Sequence, residues 1–137
     1  RCLFLTSLDL TEFSVTGTRA LDNFFEGCTH LTHIEFGDWD TSACTTKARM
    51  FIACIRLTSL DIGNWDVSNV TDMSQMFANC DVLASLDLSD WNVNNVQNMQ
   101  QTFKGLKSLE HLGTTYWNVS EKANTAGMFA DCNKQSV

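Results

Sequence analysis

The stretch Leu57–Cys80, LTSLDIGNWDVSNVTDMSQMFANC, recurs along the chain with the same spacing between its large apolar residues. The period is 26 residues throughout, without insertion or deletion. Three columns of equivalent positions show the period best: Phe25, Phe51, Phe77, Phe103 and Phe129; Leu5, Leu31, Leu57, Leu83 and Leu109; and Phe13, Trp39, Trp65, Trp91 and Trp117. A fixed period of this length predicts a solenoid, in which each repeat buries its apolar face against its neighbours.

The first part of the unit predicts a strand. It reads L-x-x-L-x-[LI], and Leu60 and Ile62 alternate there with the polar Ser59 and Asp61. Such alternation is typical of a strand with one buried face, which would stack in parallel on the same strand of the next repeat. The following Gly63 and Asn64 supply turn chemistry.

The last part of the unit predicts a short helix. Met73, Met76, Phe77 and Cys80 follow one another at spacings of three, one and three, which matches one or two helical turns with an inward face. We therefore predict an α/β solenoid of about five coils of 26 residues, with a parallel sheet on one face and short helical turns on the other. We expect a single domain over residues 1–137 that is a piece of a longer chain.

The consensus L-x-x-L-D-[LI]-x-x-W-[DN]-V-S-N-V-x-[DN]-M-x-x-M-F-x-x-C resembles the leucine-rich repeats of BspA-like bacterial surface proteins. It is most similar to the variety found in mycoplasma-type lipoproteins and in surface proteins of Gram-positive bacteria. The resemblance covers essentially the whole chain. It implies a leucine-rich-repeat fold, a cell-surface or extracellular location, and a role in adhesion or protein binding. It brings no catalytic motif.

The net charge and the hydrophobicity of the chain exclude some classes of partner. The net charge of −7 argues against nucleic acid and against an anionic membrane surface. No apolar run is long enough to insert into a membrane. The histidines His30, His33 and His111 have no repeated nucleophile or base beside them, so we predict that the chain is not an enzyme and needs no cofactor.

The cysteines allow two interpretations. One column holds Cys2, Cys28, Cys54, Cys80 and Cys132, with Leu106 taking one place in it, and Cys44 replaces a Val of another column. Stacked neighbours about 5 Å apart could form disulfides, but side chains that stack in parallel do not converge. Because Leu replaces Cys and Cys replaces Val, we expect buried thiols. No metal site is expected, since no Cys-x-x-Cys occurs and Cys28 with His30 lacks further ligands.

Acidic residues mark one face of the predicted sheet. Asp9, Glu35, Asp61 and Asp87 occupy one exposed strand column, which ends at Gly113. This column attracts a basic partner or a cation, or else it caps the local backbone; the sequence leaves both open. The candidate partner-binding face is Ser7, Asp9, His33, Glu35, Ser59, Asp61, Ser85, Asp87 and His111. A second column, Asp40, Asp66, Asn92 and Asn118, accepts Asn as readily as Asp, so we predict hydrogen bonding rather than charge there.

The leading hypothesis is a non-enzymatic binding or adhesion module, at the cell surface or secreted, that engages a protein or glycan partner through the acidic sheet face. The alternative is a structural protein that self-associates end to end into filaments or a coat. Two sequons, at Asn69 and Asn118, coincide with the Asn-rich corner of the repeat. One core position departs from the pattern: Lys47 stands where Leu21, Met73 and Met99 stand.

Overall fold

The computed structural model describes residues 2–133, and it contains four short strands there. They are β1 (Ser7–Asp9), β2 (His33–Glu35), β3 (Ser85–Asp87) and β4 (His111–Gly113). β1 pairs with β2 and β3 with β4, both in parallel. Equivalent residues of neighbouring repeats are partners, for example Leu8 with Ile34. The strands lie in the predicted L-x-x-L-x-[LI] segments, and the period sets their register.

The repeats stack in sequence order. We number them first to fifth from their leading residues, Leu5, Leu31, Leu57, Leu83 and Leu109. A ladder of parallel bridges on the side away from the strands runs through all of them without a break, joining Ala20, Thr46, Asp72, Asn98 and Asn124. The strands have no such continuity, because no strand forms in the third repeat.

The segment predicted to be helical is a chain of overlapping four-residue turns. In the third repeat the N–H groups of Met76, Ala78 and Cys80 each donate to the carbonyl three residues earlier, at 3.2 Å. The alternate N–H groups donate to carbonyls of the fourth repeat at 2.8–3.0 Å; these are the groups of Gln75, Phe77 and Asn79. The predicted α/β solenoid is therefore wrong. Residues 2–133 contain no helix, and their strands form two separate two-stranded sheets instead of one continuous sheet.

Positive φ angles at two positions of each repeat explain why no helix forms. The two columns are Asn23, Arg49, Gln75, Gln101 and Gly127, and Gly27, Ala53, Asn79, Gly105 and Asp131, with φ between 54° and 73°. Each of these residues is third in a turn, where a type II turn requires a left-handed residue. A right-handed helix needs negative φ at every residue. Successive turns reproduce the apolar spacing of three and one that predicted a helix.

The Phe column is the centre of the core. Phe51, Phe77 and Phe103 are completely buried. From Phe25 to Phe129, neighbouring rings stack with centroids 5.3–5.7 Å apart and planes within 9° of parallel. The Phe and Trp columns are thus buried in the middle repeats, whereas Phe13 and Phe129, at the ends of the two columns, are exposed. On this side of the molecule, stacked rings and backbone hydrogen bonds connect each repeat to the next.

The cysteines follow both interpretations in different repeats. Cys54 and Cys80 are buried thiols, and each donates to the carbonyl of a Phe in the preceding repeat, at 3.1 and 3.3 Å. Burial raises the pKa of the Cys54 thiol to about 12. Cys44 is also a buried thiol, as expected. The expectation is wrong for Cys2 and Cys28, which form a disulfide between the start of the chain and the first repeat.

Candidate binding surface

The strands and the equivalent segment of the third repeat expose their polar side chains on one face. All nine residues of the predicted partner-binding face are exposed, namely Ser7, Asp9, His33, Glu35, Ser59, Asp61, Ser85, Asp87 and His111. Between them lie inward residues such as Ile34 and Leu86, which are buried. Strand alternation therefore gathers the predicted residues on one surface, as the sequence indicated.

Three of the four carboxylates in the acidic column are held by local hydrogen bonds. Asp9 accepts bonds from the hydroxyl and the N–H of Thr11, at 2.7 and 3.0 Å. Asp87 accepts one from the N–H of Ser89 at 3.1 Å. Glu35 contacts the His33 ring at 2.7 Å. These bonds make Asp9 and Asp87 caps of the turn after each strand, which is one of the two roles that the sequence left open.

The pKa values of the capping carboxyls reflect these bonds. The hydroxyl and then the N–H of Thr11 lower the pKa of Asp9. The N–H of Ser89, followed by its hydroxyl, lowers the pKa of Asp87. Both groups are therefore ionised at neutral pH and keep the surface negative.

Asp61 is the exception in the column. Among residues 2–133 it has no hydrogen-bond or ion-pair partner. The residue two positions later is Gly63, which cannot supply the hydroxyl that Thr11 and Ser89 supply at the equivalent position. Asp61 is thus the carboxylate of this column that is left to interact with something else.

Asp61 lies in a depression of about 520 Å³ at the gap between the two sheets. Its polar lining comes from three successive repeats: His33, Glu35, Ser59, Asp61, Asn64, Ser85 and Asp87. The depression exists because Ser59–Asp61 pairs with neither β2 nor β3. It joins six of the nine predicted residues and leaves Ser7, Asp9 and His111 outside its lining.

The missing backbone bonds locate the gap closely. On either side of it the chain closes each strand pair with one more bond, from Leu10 N–H to the Glu35 carbonyl at 2.8 Å and from Leu88 N–H to the Gly113 carbonyl at 2.9 Å. Within residues 2–133, the equivalent N–H groups of Phe36 and Ile62 make no such bond. The floor of the depression therefore offers backbone donors and acceptors as well as side chains.

Gly63 was missed as a site residue by the sequence reasoning. A Cβ at this position would lie 2.8 Å from the carbonyl oxygen of Asp87, closer than a real side chain approaches. Gly63 thus permits a close approach between the third and fourth repeats beside Asp61. The signal was present in the sequence, since Gly63 follows the strand segment where Thr11 and Ser89 stand in other repeats.

The column of Asp40 and Asp66 behaves as predicted. Asp40 accepts a bond from the N–H of Ser42, and Asp66 accepts bonds from the N–H and hydroxyl of Ser68, at 2.6–2.9 Å. Asn92 does the same for the N–H of Asn94 at 3.0 Å. These side chains cap the corner of each repeat, so Asp and Asn are interchangeable there.

Three further observations concern metal ligands, membrane-spanning helices and the sequon at Asn69. Across residues 2–133 no group of three or more His, Cys, Asp or Glu side chains is placed to hold a metal ion. The described residues also include no helix able to cross a membrane. At the sequon of Asn69, the side-chain amide donates to the Ser42 carbonyl at 2.8 Å, so this nitrogen is already engaged.

Comparison with known proteins gives one family and one solved structure. The family model described as "Mycoplasma protein of unknown function, DUF285" matches residues 10–137. This match confirms the similarity to mycoplasma proteins at the level of the family. No curated protein matches the chain. The chain is also similar, at 19% identity and a TM-score of 0.45, to the crystal structure of a leucine rich cell surface protein from Faecalibacterium prausnitzii A2-165. The match covers 85% of this chain and 31% of that protein.

Proposed function

Because the chain belongs to the family described as Mycoplasma protein of unknown function, DUF285, its role has to be argued from its surface, and we propose that it is a non-enzymatic binding module. The module is displayed at the cell surface or secreted. It engages a protein or glycan partner through the strand face, at the depression that contains Asp61.

The free carboxylate of Asp61 is the observation that carries this proposal. A carboxylate with no partner, in a depression lined by further acidic and hydroxyl side chains, attracts a cationic group. The nearby Glu35 and Asp87 add negative charge, while Ser59 and Ser85 add hydroxyls that can donate or accept. The partner we propose therefore carries Lys, Arg or amino-sugar groups.

The location outside the cell has a separate support. Cys2 and Cys28 form a disulfide. Such bonds persist in oxidising surroundings and are rare in the cytosol. The resemblance to BspA-like surface proteins points the same way.

Titration with a short Lys-rich peptide tests the proposed site. We expect binding to the wild-type chain that weakens steeply as salt rises to about 0.3 M, because surface charges are screened. The triple variant Glu35→Gln, Asp61→Asn, Asp87→Asn should weaken binding by about tenfold through loss of three charges. An Asn at position 87 can still cap the turn, as Asn98 caps Gln100 elsewhere in the chain.

A matched control separates the site from the net charge. Asp22→Asn, Asp90→Asn, Glu121→Gln removes the same charge from positions outside the depression. Isothermal titration calorimetry on the three proteins should show loss of affinity in the first triple variant alone. Equal losses in both triple variants would reduce the interaction to net charge, and binding that ignores salt would exclude a cationic partner.

Self-association is the alternative function, and the direction of the turn-side bonds favours it. On that side the turns of each repeat donate to the following one, as when Phe51 N–H bonds the Met76 carbonyl at 2.9 Å, and bonds such as Thr71 N–H to the Thr45 carbonyl run the other way. An unstacked repeat therefore presents edges complementary to those of another copy. Sedimentation velocity at rising concentration tests this alternative, which predicts open-ended growth where the binding module predicts a constant sedimentation coefficient.

A further inference from the structure

Lys47 is a completely buried lysine at a core position of the repeat. Its Nζ is the buried side-chain nitrogen or oxygen of residues 2–133 that has no hydrogen-bond partner. It lies 5.4 Å from the ring centroid of Trp65, in the third repeat. The equivalent residues Leu21, Met73 and Met99 are buried and apolar. A buried amine needs compensation, and the face of Trp65 is what its surroundings supply.

Trp65 is also the tryptophan that lacks its expected hydrogen bond. Three indole N–H groups donate to a carbonyl in the preceding repeat: Trp39 to Leu10 at 3.2 Å, Trp91 to Ile62 at 3.0 Å and Trp117 to Leu88 at 2.7 Å. For Trp65 the equivalent acceptor is the carbonyl of Phe36, and among the described residues this bond is not made. The exception coincides with the position where Lys47 replaces an apolar residue.

The position of Trp65 is tied to the unpaired strand segment. Trp65 N–H donates to the Ile62 carbonyl at 3.1 Å, which closes the turn that directly follows Ser59–Asp61. Any displacement of Trp65 would therefore move this segment as well. Outside that segment the same two repeats remain joined, for example from Thr71 N–H to the Thr45 carbonyl at 2.8 Å. The missing hydrogen bonds between these two repeats are therefore confined to the segment that Trp65 follows.

We infer that Lys47 is the positioning residue of the depression: its buried amine occupies the face of Trp65, keeps the indole from the Phe36 carbonyl, and so holds Ser59–Asp61 out of the sheet. The gap between the sheets, with its free Asp61 carboxylate, is then a consequence of one core substitution. The inference itself concerns the free protein. Its meaning for recognition rests on the proposed function.

Two charged or titratable groups besides the amine act at this place. Burial lowers the pKa of Lys47, while the Cys44 thiol and the Asp66 carboxylate raise it. Each of the two is also bonded elsewhere: Cys44 donates to the Thr18 carbonyl at 3.1 Å, and Asp66 accepts bonds from Ser68. The ring of Trp65 is the aromatic face that the amine contacts.

Phe36 is the competing cause of the gap. Its ring is wedged edge-on between Trp39 and Trp65, with centroids 5.0 Å from each. Leu10 and Leu88, at the equivalent position, are smaller. A bulky ring could hold Trp65 off its acceptor without help from the amine, so the test has to separate the two side chains.

Hydrogen exchange in Lys47→Met tests the inference. Methionine is the native residue of this column at Met73 and Met99. In the wild type the N–H groups of Phe36 and Ile62 and the indole N–H of Trp65 should exchange fast, since they lack partners. In Lys47→Met we expect all three to exchange about a hundredfold more slowly, because the strand pairs close. Two-dimensional NMR resolves the four indole signals and these amides.

Two further variants make the result decisive. Met73→Leu, a change in the same column, should leave these three protons fast. Fast exchange of the three protons in Lys47→Met would overturn the inference. Slow exchange in Phe36→Leu, with Lys47 still present, would also overturn it, because the Phe36 ring would then be the cause of the gap. Loss of Lys-rich peptide binding in Lys47→Met would extend the inference to recognition. Slow exchange in a protein whose wild type never binds the peptide would leave the inference standing and contradict only the proposed function.

Discussion

The two sides of each repeat differ in how they join the stack. On the turn side every junction between repeats is bonded, through the turns and through the bridges from Ala20 to Asn124. On the strand side, two of the junctions within residues 2–133 carry strand pairs. The strand, which defines the repeat in the sequence, is thus the weaker connection. The difference suggests a division of work, in which the turn side holds the stack and the strand side is free to form a site.

The largest effect should come from breaking the turn side. Phe77 is completely buried and stacks on Phe51 and Phe103, with centroids 5.7 Å away on both sides. Phe77→Ala should cost about 3–4 kcal/mol of unfolding free energy, since it removes a large buried ring and leaves a cavity. Leu60→Ala, on the half-buried strand segment of the same repeat, should cost only about 1 kcal/mol. Urea unfolding measures both, and equal costs would contradict the division.

Replacing the buried Lys47 by Met should change the free energy of unfolding in a way that depends on pH. Burial lowers the folded pKa of Lys47 from 10.5, so between the lowered pKa and 10.5 the unfolded chain binds more protons than the folded one. The destabilisation is complete below the lowered pKa and disappears as pH rises through 10.5. Lys47→Met should therefore be more stable than wild type at neutral pH, and this advantage should shrink in alkali.

Urea unfolding of both proteins from neutral to alkaline pH measures this difference. The thiols of Cys54 and Cys80 titrate in alkali in both proteins, so their contribution cancels in the comparison. An advantage that stays constant with pH would mean that the pKa of Lys47 is the same in the folded and the unfolded chain, so that the residue destabilises through its shape alone.

The period predicted the register and the buried side chains, although the fold class drawn from it was wrong. It gave the register of the strand pairs, the stacked Phe rings and the exposed face that carries Asp61 and Asp87. It could not give the turns, because apolar spacing reports which side chains face inward and not the sign of φ. A separate signal for the turns was present in Gly27, Asn79 and Gly105, residue types that adopt positive φ readily.

The depression could not have been predicted from the repeat pattern, for the opposite reason. It lies beside two residues that depart from the pattern, Lys47 and Phe36, and beside Gly63, whose column holds Gly in two repeats and Thr or Ser in three; a consensus averages such differences away. Sequence reasoning noticed Lys47 as a flaw in the core. In the structure this residue contacts the Trp65 ring, and Trp65 follows the segment Ser59–Asp61.

The smallest expected effect tests the turns themselves. Ala53 has φ 61° as the third residue of a turn, where its Cβ is unfavourable. Ala53→Gly should stabilise the chain by about 0.5 kcal/mol, the relief of backbone strain less the greater freedom of Gly in the unfolded chain. Gly105→Ala, at the equivalent position of the fourth repeat, should destabilise it, because φ is 73° and the new Cβ would meet the Asn79 side chain. Thermal unfolding of the two variants should therefore shift in opposite directions. A stabilising Gly105→Ala would mean that this segment is helical in solution. The turn side would then not be built from turns with left-handed residues.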